Sequence, residues 1–267
     1  MSNRKTVPPC GKFINEKKGS IMTAKKPINP EIVIEQMFDK HMTYDLNGKE
    51  RKITGGISLS QANFLKEIIK TRQLCNCVET GVAYGVSTVT ICQALSKLEK
   101  KGLSCQHWGV DPCQYSEHNG VAVAALRRCG LDHLFELMEG PSYIMLPKLV
   151  ERGESFDLVF IDGWHTFDYT LIDVFFADKM LKPGGILVMH DMQMPSKQKV
   201  WNYLYTHRKY KRLQAPMRPI FRRILSCGKN TLLRGPRMGL VNLIQPLMLV
   251  AEKTSDYEPN YNFFHNF

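Results

Sequence analysis

Val78-Glu79-Thr80-Gly81-Val82-Ala83-Tyr84-Gly85-Val86-Ser87-Thr88 is the stretch from which the fold follows. It comes after a short, mostly apolar run, Leu74 to Val78, and before an apolar-periodic segment, Val89 to Leu98. That order predicts a strand, a tight glycine turn and a helix. Gly81 and Gly85 allow a ligand to approach the backbone closely, and the helix N-terminus beyond them offers free N–H groups to an anion. Ser87 and Thr88 add hydroxyl donors at the same place. Glu79, an acid at the strand end, disfavours a pyrophosphate and suits a ligand that carries positive charge. The bland alternative is an ordinary βα turn with two glycines, and only recurrence downstream decides between them. Gly81-x-x-x-Gly85 also lacks the third glycine of GxGxxG, which weakens a dinucleotide-binding dehydrogenase reading.

The pattern does recur. Cys105 to Asp111 reads as a strand, about Val121 to Arg128 as a helix, and Leu134 to Glu139 as a strand. The turn Gly140-Pro141-Ser142 then opens a helix to about Arg152, and Phe156 to Ile161 is a strand ending at Asp162. A helix from about Tyr169 to Met180 is broken by Pro183-Gly184-Gly185 before strand Ile186 to Met189, which ends at His190-Asp191. Five strands alternating with helices predict a parallel sheet with right-handed crossovers. Glu79, Asp111, Glu139, Asp162 and Asp191 then stand along one edge, the edge at which open α/β folds bind ligands. Asp111 follows the glycine turn by about one βα unit, where an acid can bond both hydroxyls of a ribose. The alternative for Asp111 is a helix cap.

Upstream, residues 1–28 read as a flexible, lysine-rich tail with Glu16 as its one acid. Asn29-Pro30-Glu31 is a helix start, running to about His41. Residues 44–58 are polar, carry three glycines and read as a loop. Ser60 is expected to cap a second helix, Gln61 to about Arg72. At 267 residues and 43% apolar, the chain is long enough for one sizeable α/β domain with additions. Its eight cysteines form no CxxC pair, which argues against a zinc site or a disulfide framework. Cys75 and Cys77 read as small buried apolar residues. This usage fits a reducing, cytoplasmic compartment, with an organelle transit peptide as the open alternative. No stretch approaches the roughly 18 apolar residues of a membrane span.

The net charge of +11 is unevenly spread. From Met192 to Ala251 there is no Asp or Glu, but there are twelve Lys and Arg, which leaves the rest of the chain about neutral. The segment has three readings. It is a solvated lid, or it recognises an anionic acceptor through Arg218, Arg222 or Arg223, or it tracks nucleic-acid phosphates or an anionic membrane surface. Interleaved apolar residues, among them Ile220, Phe221, Ile224 and Leu225, indicate that part of it packs.

Four stretches in order carry a family resemblance: Glu79 to Ser87, Gly109-Val110-Asp111-Pro112, Phe156 to His165 and Leu181 to Asp191. Together they resemble class I S-adenosylmethionine-dependent methyltransferases, and among these the small-molecule O-methyltransferases of the catechol and macrolide-sugar type. The resemblance covers roughly residues 59–201. It implies a three-layer, Rossmann-like α/β fold with a seven-stranded, mostly parallel sheet and an antiparallel C-terminal hairpin. About Lys211–Ala215 and Gln245–Lys253 would supply the hairpin. The expected organisation is a tail at 1–28, a helix and loop at 29–58, and a methyltransferase domain at 59–267. That domain includes a basic, lid-like insertion at about 193–244.

The resemblance also implies roles. The turn from Glu79 through Gly81 and Gly85 to Ser87 would hold the methionyl part of S-adenosylmethionine, Asp111 the ribose, and Gly140 to Ser142 the adenine. A cationic sulfonium gives a physical reason for an acidic edge. Asp162 and His190-Asp191 would then lie by the transferable methyl, with His165 as general base for a small-molecule hydroxyl. The catechol-type pattern has a lysine where His165 stands. Asp162 and Asp191 are candidate ligands for Mg²⁺. Catechol-type enzymes carry Asn after the second Asp, and here Met192 replaces it, so metal dependence stays open. The rival readings are an RNA methyltransferase that uses the basic segment, and a non-catalytic partner module that binds the cofactor.

Overall fold

The computed structural model describes residues 27–216, 224 and 247–267. Residues 1–26 of the N-terminal tail and about half of the basic segment, including Arg218, Arg222 and Arg223, lie outside them. Helix α1 (Pro30–Asp39) begins as expected, with the Asn29 side chain accepting the Glu31 N–H and Pro30 in the first turn. The expected loop then contains a small hairpin, β1 (Met42–Tyr44) with β2 (Glu50–Lys52). Asp45 builds its turn by accepting the N–H groups of Asn47 and Lys49 and pairing with Arg51. Strands of three residues are too short to show alternation, so composition alone reads as loop.

Helix α2 (Leu59–Arg72) is capped by Ser58 rather than Ser60. Ser58 and Gln61 form a reciprocal capping box. Only the spacing from Ser58 puts a Gln at the third helical position; from Ser60 that position is Asn63.

The alternating body follows as predicted: β3 (Asn76–Thr80), α3 (Val86–Glu99), β4 (Gln106–Asp111), α4 (Val121–Cys129), β5 (Phe135–Glu139), α5 (Ser142–Glu151), β6 (Phe156–Ile161), α6 (Phe167–Met180) and β7 (Leu181–Met189). Pro183-Gly184-Gly185 does not end the sheet. The register between β6 and β7 jumps there, from Phe156↔Leu181 to Leu158↔Ile186, so these residues form a bulge. Helix α7 (Pro195–His207), β8 (Tyr210–Leu213) and β9 (Leu249–Lys253) complete the domain. The expected lid interval therefore opens with a helix of the body, which buries Val200, Trp201 and Leu204.

The strand order is β5-β4-β3-β6-β7-β9-β8, with β9 antiparallel to both its neighbours. This is the seven-stranded, mostly parallel sheet with a C-terminal antiparallel hairpin. One core, with Leu65, Leu95 and Leu126, lies under α1 to α4; the other, with Leu146, Val174 and Trp201, lies under α5 to α7. Each fully buried side chain of this size contributes about 1.5–3 kcal/mol. Adjacent strands β3 and β6 send their helices α3 and α6 to opposite faces. A crevice opens where chains diverge in this way, outside the carboxyl ends of the strands.

A buried network fixes the far end of the sheet. Asp178 on α6 accepts hydrogen bonds from Arg208 Nε and the Tyr210 hydroxyl, both at 2.9 Å. The Lys253 ammonium donates to the carbonyls of Asp178 and Leu181. No helix among the described residues is long and apolar enough to cross a membrane.

Of the described cysteines, all six are free thiols. Burial pushes the Cys77 and Cys92 thiols well above the ordinary range, as expected of apolar fillers, whereas Cys75 is only half-buried.

Candidate active site

The strand ends are locked level by backbone bonds that run beyond the strands themselves. Gly81 N–H donates to the Val110 carbonyl, Asp162 N–H to Thr80, His190 N–H to Ile161 and Gly140 N–H to Asp111. The glycine turn meets the loop after β6 directly. A Cβ on Gly81 would lie 2.3 Å from the Asp162 carbonyl oxygen, and Gly81 has φ +85°. Gly85 has φ +77° and sits against Ala122. Both positions need glycine for conformation and for close approach.

The acids of this edge do not all face the crevice. Glu79 is fully buried, because in a pleated strand it points to the α3 side, opposite to Val78 and Thr80. There it accepts the hydroxyls of Ser87 and Thr88 and faces His107 Nε2 at 3.0 Å. The two hydroxyls expected to serve a ligand are thus spent on Glu79, and all three residues brace the turn from beneath. Asp111 does stand at the crevice, but its carboxylate is already engaged. One oxygen accepts the N–H groups of Val82 (3.0 Å) and Ala83 (2.8 Å), the other that of Cys113 (2.7 Å). Asp111 therefore staples the turn in shape, with Ala83 held at φ +44°. Glu139 lies beside it in register across β4 and β5 and accepts the Tyr115 N–H.

Gly140 packs against Met145, and Ser142 opens α5 and hydrogen-bonds Asp173 of α6. Asp173, which sequence reasoning missed, also accepts the Thr80 hydroxyl at 2.9 Å, leaving Oδ1 buried with no hydrogen-bond partner. Burial raises its pKa to about 6. Its position in α6, amid Ile172 and Val174, gives no local sign of that environment.

Asp162, His165 and Asp191 come together as expected, each offering a ligand atom within 4.8 Å of the others. His165 Nε2 is 3.5 Å from Asp191 Oδ2, and its Nδ1 is covered without a partner. Burial, helped by the nearby Lys197 ammonium, holds the His165 pKa below the ordinary histidine value. His190 Nδ1 lies 3.1 Å from Asp162 Oδ1 and 3.7 Å from Asp191 Oδ1. Burial works against its charged form, but the two carboxylates outweigh it and raise its pKa. Burial likewise opposes ionisation of Asp191, and His190, Gln193 and His165 outweigh it and lower its pKa. Asp191 adopts φ +56°, unusual for a non-glycine residue and found where a site constrains the backbone.

Two further features were not foreseen. Lys197 of α7 is 1% exposed and reaches Asp162 Oδ1 at 3.9 Å. Trp164 is 48% exposed next to His165 and adjoins Tyr169, which packs edge-on to Tyr143. These three rings form a chain of contacts that starts from the loop after β6. A cluster Trp-His followed by aromatics at 167 and 169 is the sequence signal that could have found them.

The family profile described as "Methyltransferase domain" matches residues 78–192, from the glycine strand to just past Asp191. The fold is that of a class I S-adenosylmethionine-dependent methyltransferase. Among curated relatives, a catechol O-methyltransferase from Niastella koreensis is 32% identical over 135 residues, 49% of this chain and 56% of that protein. Caffeoyl-CoA O-methyltransferase 2 of Petunia hybrida is 25% identical over 140 residues, 49% of this chain and 51% of that protein. The chain thus spans about half the length of the curated relatives it matches. A solved O-methyltransferase, TomG from Streptomyces achromogenes in complex with SAM, has the same fold, with a TM-score of 0.56 at 17% identity. That superposition covers 88% of this chain and 93% of TomG.

Proposed function

We propose that the chain transfers a methyl group from S-adenosylmethionine to a hydroxyl oxygen of a small-molecule acceptor. The observation that carries this reading is the convergence of Asp162, His165 and Asp191 beside the glycine turn. When bound, S-adenosylmethionine supplies an electrophilic methyl on a sulfonium. The crevice suits such a cation, since Asp111, Glu139, Asp162 and Asp191 all stand at its strand ends. In this reading the turn at Gly81 to Gly85 takes the methionyl part, with Glu79 and Ser87 shaping it from below. Asp111 and its neighbour Glu139 take the ribose, and Gly140 to Ser142 flank the adenine.

His165 is the general base. Its lowered pKa keeps the imidazole neutral near pH 7, so the ring accepts the proton that the acceptor hydroxyl loses as oxygen attacks the methyl carbon. Asp191, beside Nε2, orients the ring and stabilises the imidazolium that forms. Asp162 and Asp191 together position the acceptor for in-line approach.

The donor set suits Mg²⁺ less well than an all-oxygen one would. Mg²⁺ wants near-octahedral oxygen ligation. Here two carboxylates are joined by an imidazole, and the side chain of the neighbouring Met192 is buried and has no oxygen to give. The acceptor is read as a small molecule, in keeping with the names of the catechol and caffeoyl-CoA relatives. The basic segment favours an anionic one, met by Arg218, Arg222 or Arg223. No observation favours an RNA acceptor or a non-catalytic module.

Two measurements test the proposal. Calorimetry should detect S-adenosylmethionine binding to the purified chain; its absence would end the reading. Transfer of labelled methyl to a panel of hydroxylated metabolites, abolished by His165→Ala with cofactor binding intact, would establish the acceptor class.

A further inference from the structure

Lys197 is unexplained by this chemistry. Residues 197, 200, 201 and 204 make one stripe of α7 at helical spacing, and its other members, Val200, Trp201 and Leu204, are apolar and buried. A lysine in the first place of such a stripe carries its ammonium into the core, where an unpaired charge is strongly unfavourable. Its hydrogen-bond acceptor is the Ile161 carbonyl at 3.4 Å, at the end of β6. Asp162 lies 3.9 Å away, and Asp191 and Asp173 act on it from the turn after β7 and from α6. His190 and His165 are the other titratable groups of this cluster. The ammonium thus sits behind the Asp162–Asp191 pair, on the side away from solvent.

We propose that Lys197 is a built-in counter-cation that holds Asp162 and Asp191 in place and offsets part of their charge, occupying the electrostatic role a divalent metal would otherwise fill. The inference rests on the methyl-transfer reading for its catalytic consequence, but not for its metal-binding consequence. Two carboxylates this close repel one another and need positive charge between or behind them. Lys197 provides it from within the chain, so an incoming divalent ion meets like charge as well as ligands. Being almost wholly covered, Lys197 touches no acceptor and is a positioning residue acting through the two aspartates.

The experiment uses the full chain and Mn²⁺ as probe, followed by the loss of the free-ion paramagnetic resonance signal. Wild type is expected to bind no Mn²⁺ at millimolar concentration, and its methyl transfer to be insensitive to chelator. Lys197→Met, or Lys197→Gln, should acquire Mn²⁺ binding tightened by about tenfold or more, the scale of one charge interaction. Adding Asp191→Asn should abolish that binding. Methyl transfer by Lys197→Met should fall by about a hundredfold and recover in part with Mn²⁺, which a merely structural lesion would not do. Mn²⁺ binding by wild type that Asp191→Asn removes would overturn the proposal. A folded Lys197 variant that gains no Mn²⁺ binding would do so too, and if neither variant folds the wild-type measurement alone decides. Failure of the methyl-transfer reading would show instead as absent S-adenosylmethionine binding, leaving the Mn²⁺ result intact.

Discussion

The carbonyl oxygen of Asp162 lies so close to Gly81 that a Cβ on the glycine would stand 2.3 Å from it. The glycine turn and the loop after β6 are therefore in direct backbone contact, and the position of one sets the position of the other. Gly81→Ala meets both a backbone clash and a left-handed φ, and should cost about 2 kcal/mol or more. We expect a melting temperature lower by roughly 5 °C or more, together with loss of S-adenosylmethionine binding in calorimetry. An alanine variant that melts and binds like wild type would show that the contact is unimportant.

Asp111 has a double assignment. Its removal leaves the N–H groups of Val82, Ala83 and Cys113 without their acceptor, at about 1–3 kcal/mol for the buried Val82 donor and less for the two half-buried ones. Asp111→Ala should therefore lower stability in denaturant and weaken cofactor affinity by at least about tenfold. Asp111→Asn keeps one acceptor oxygen and should fall between. If the alanine variant loses stability but keeps full cofactor affinity, the residue is only a staple.

For His165 the sign of the pH dependence is fixed by its environment. A base must be neutral to act, and burial with the Lys197 charge lowers its pKa below 6.5. Turnover should rise with pH along a limb centred below that value and stay level above it. His165→Gln should reduce kcat by about 10²–10⁴-fold with cofactor affinity unchanged. A limb centred above 7 would assign the proton transfer to another group.

Asp173 makes the opposite contribution to stability. Its pKa in the folded state is raised from 3.8 to about 6, so between these values the folded chain binds more protons than the unfolded one. Stability from this residue is present at low pH and is lost as pH rises through that window, by about 3 kcal/mol in all. Asp173→Asn has no such proton to lose. Its stability relative to wild type should improve between about pH 4 and about pH 7, measured by urea denaturation at each pH. A constant difference would contradict the burial argument.

The network around Asp178 predicts a large structural effect far from the crevice. Asp178→Ala takes the buried carboxylate from Arg208 and Lys253, leaving them only Glu258 and Asp256 as ion-pair partners, and leaves the Tyr210 hydroxyl without its acceptor. Losing one partner of such a cluster costs about 3–5 kcal/mol. Thermal melting should reveal it, while S-adenosylmethionine affinity of the folded fraction stays unchanged.

Much of this molecule is legible in the chain itself. Hydrophobic runs, glycine turns and strand-end acids are local signals, and they determine the order of β3 to β7, the bounds of β6 and the meeting of Asp162, His165 and Asp191. The Ser58 cap was also there to be read, through Gln61. What only the tertiary structure decided depends on direction and on partners distant in sequence. The pleat turns Glu79 away from the crevice and hands it Ser87, Thr88 and His107. Packing of α6 buries Asp173, and packing of α7 drives Lys197 behind Asp162. Periodicity says which residues share a face, but the charge environment of a buried group is set by neighbours brought from elsewhere in the chain.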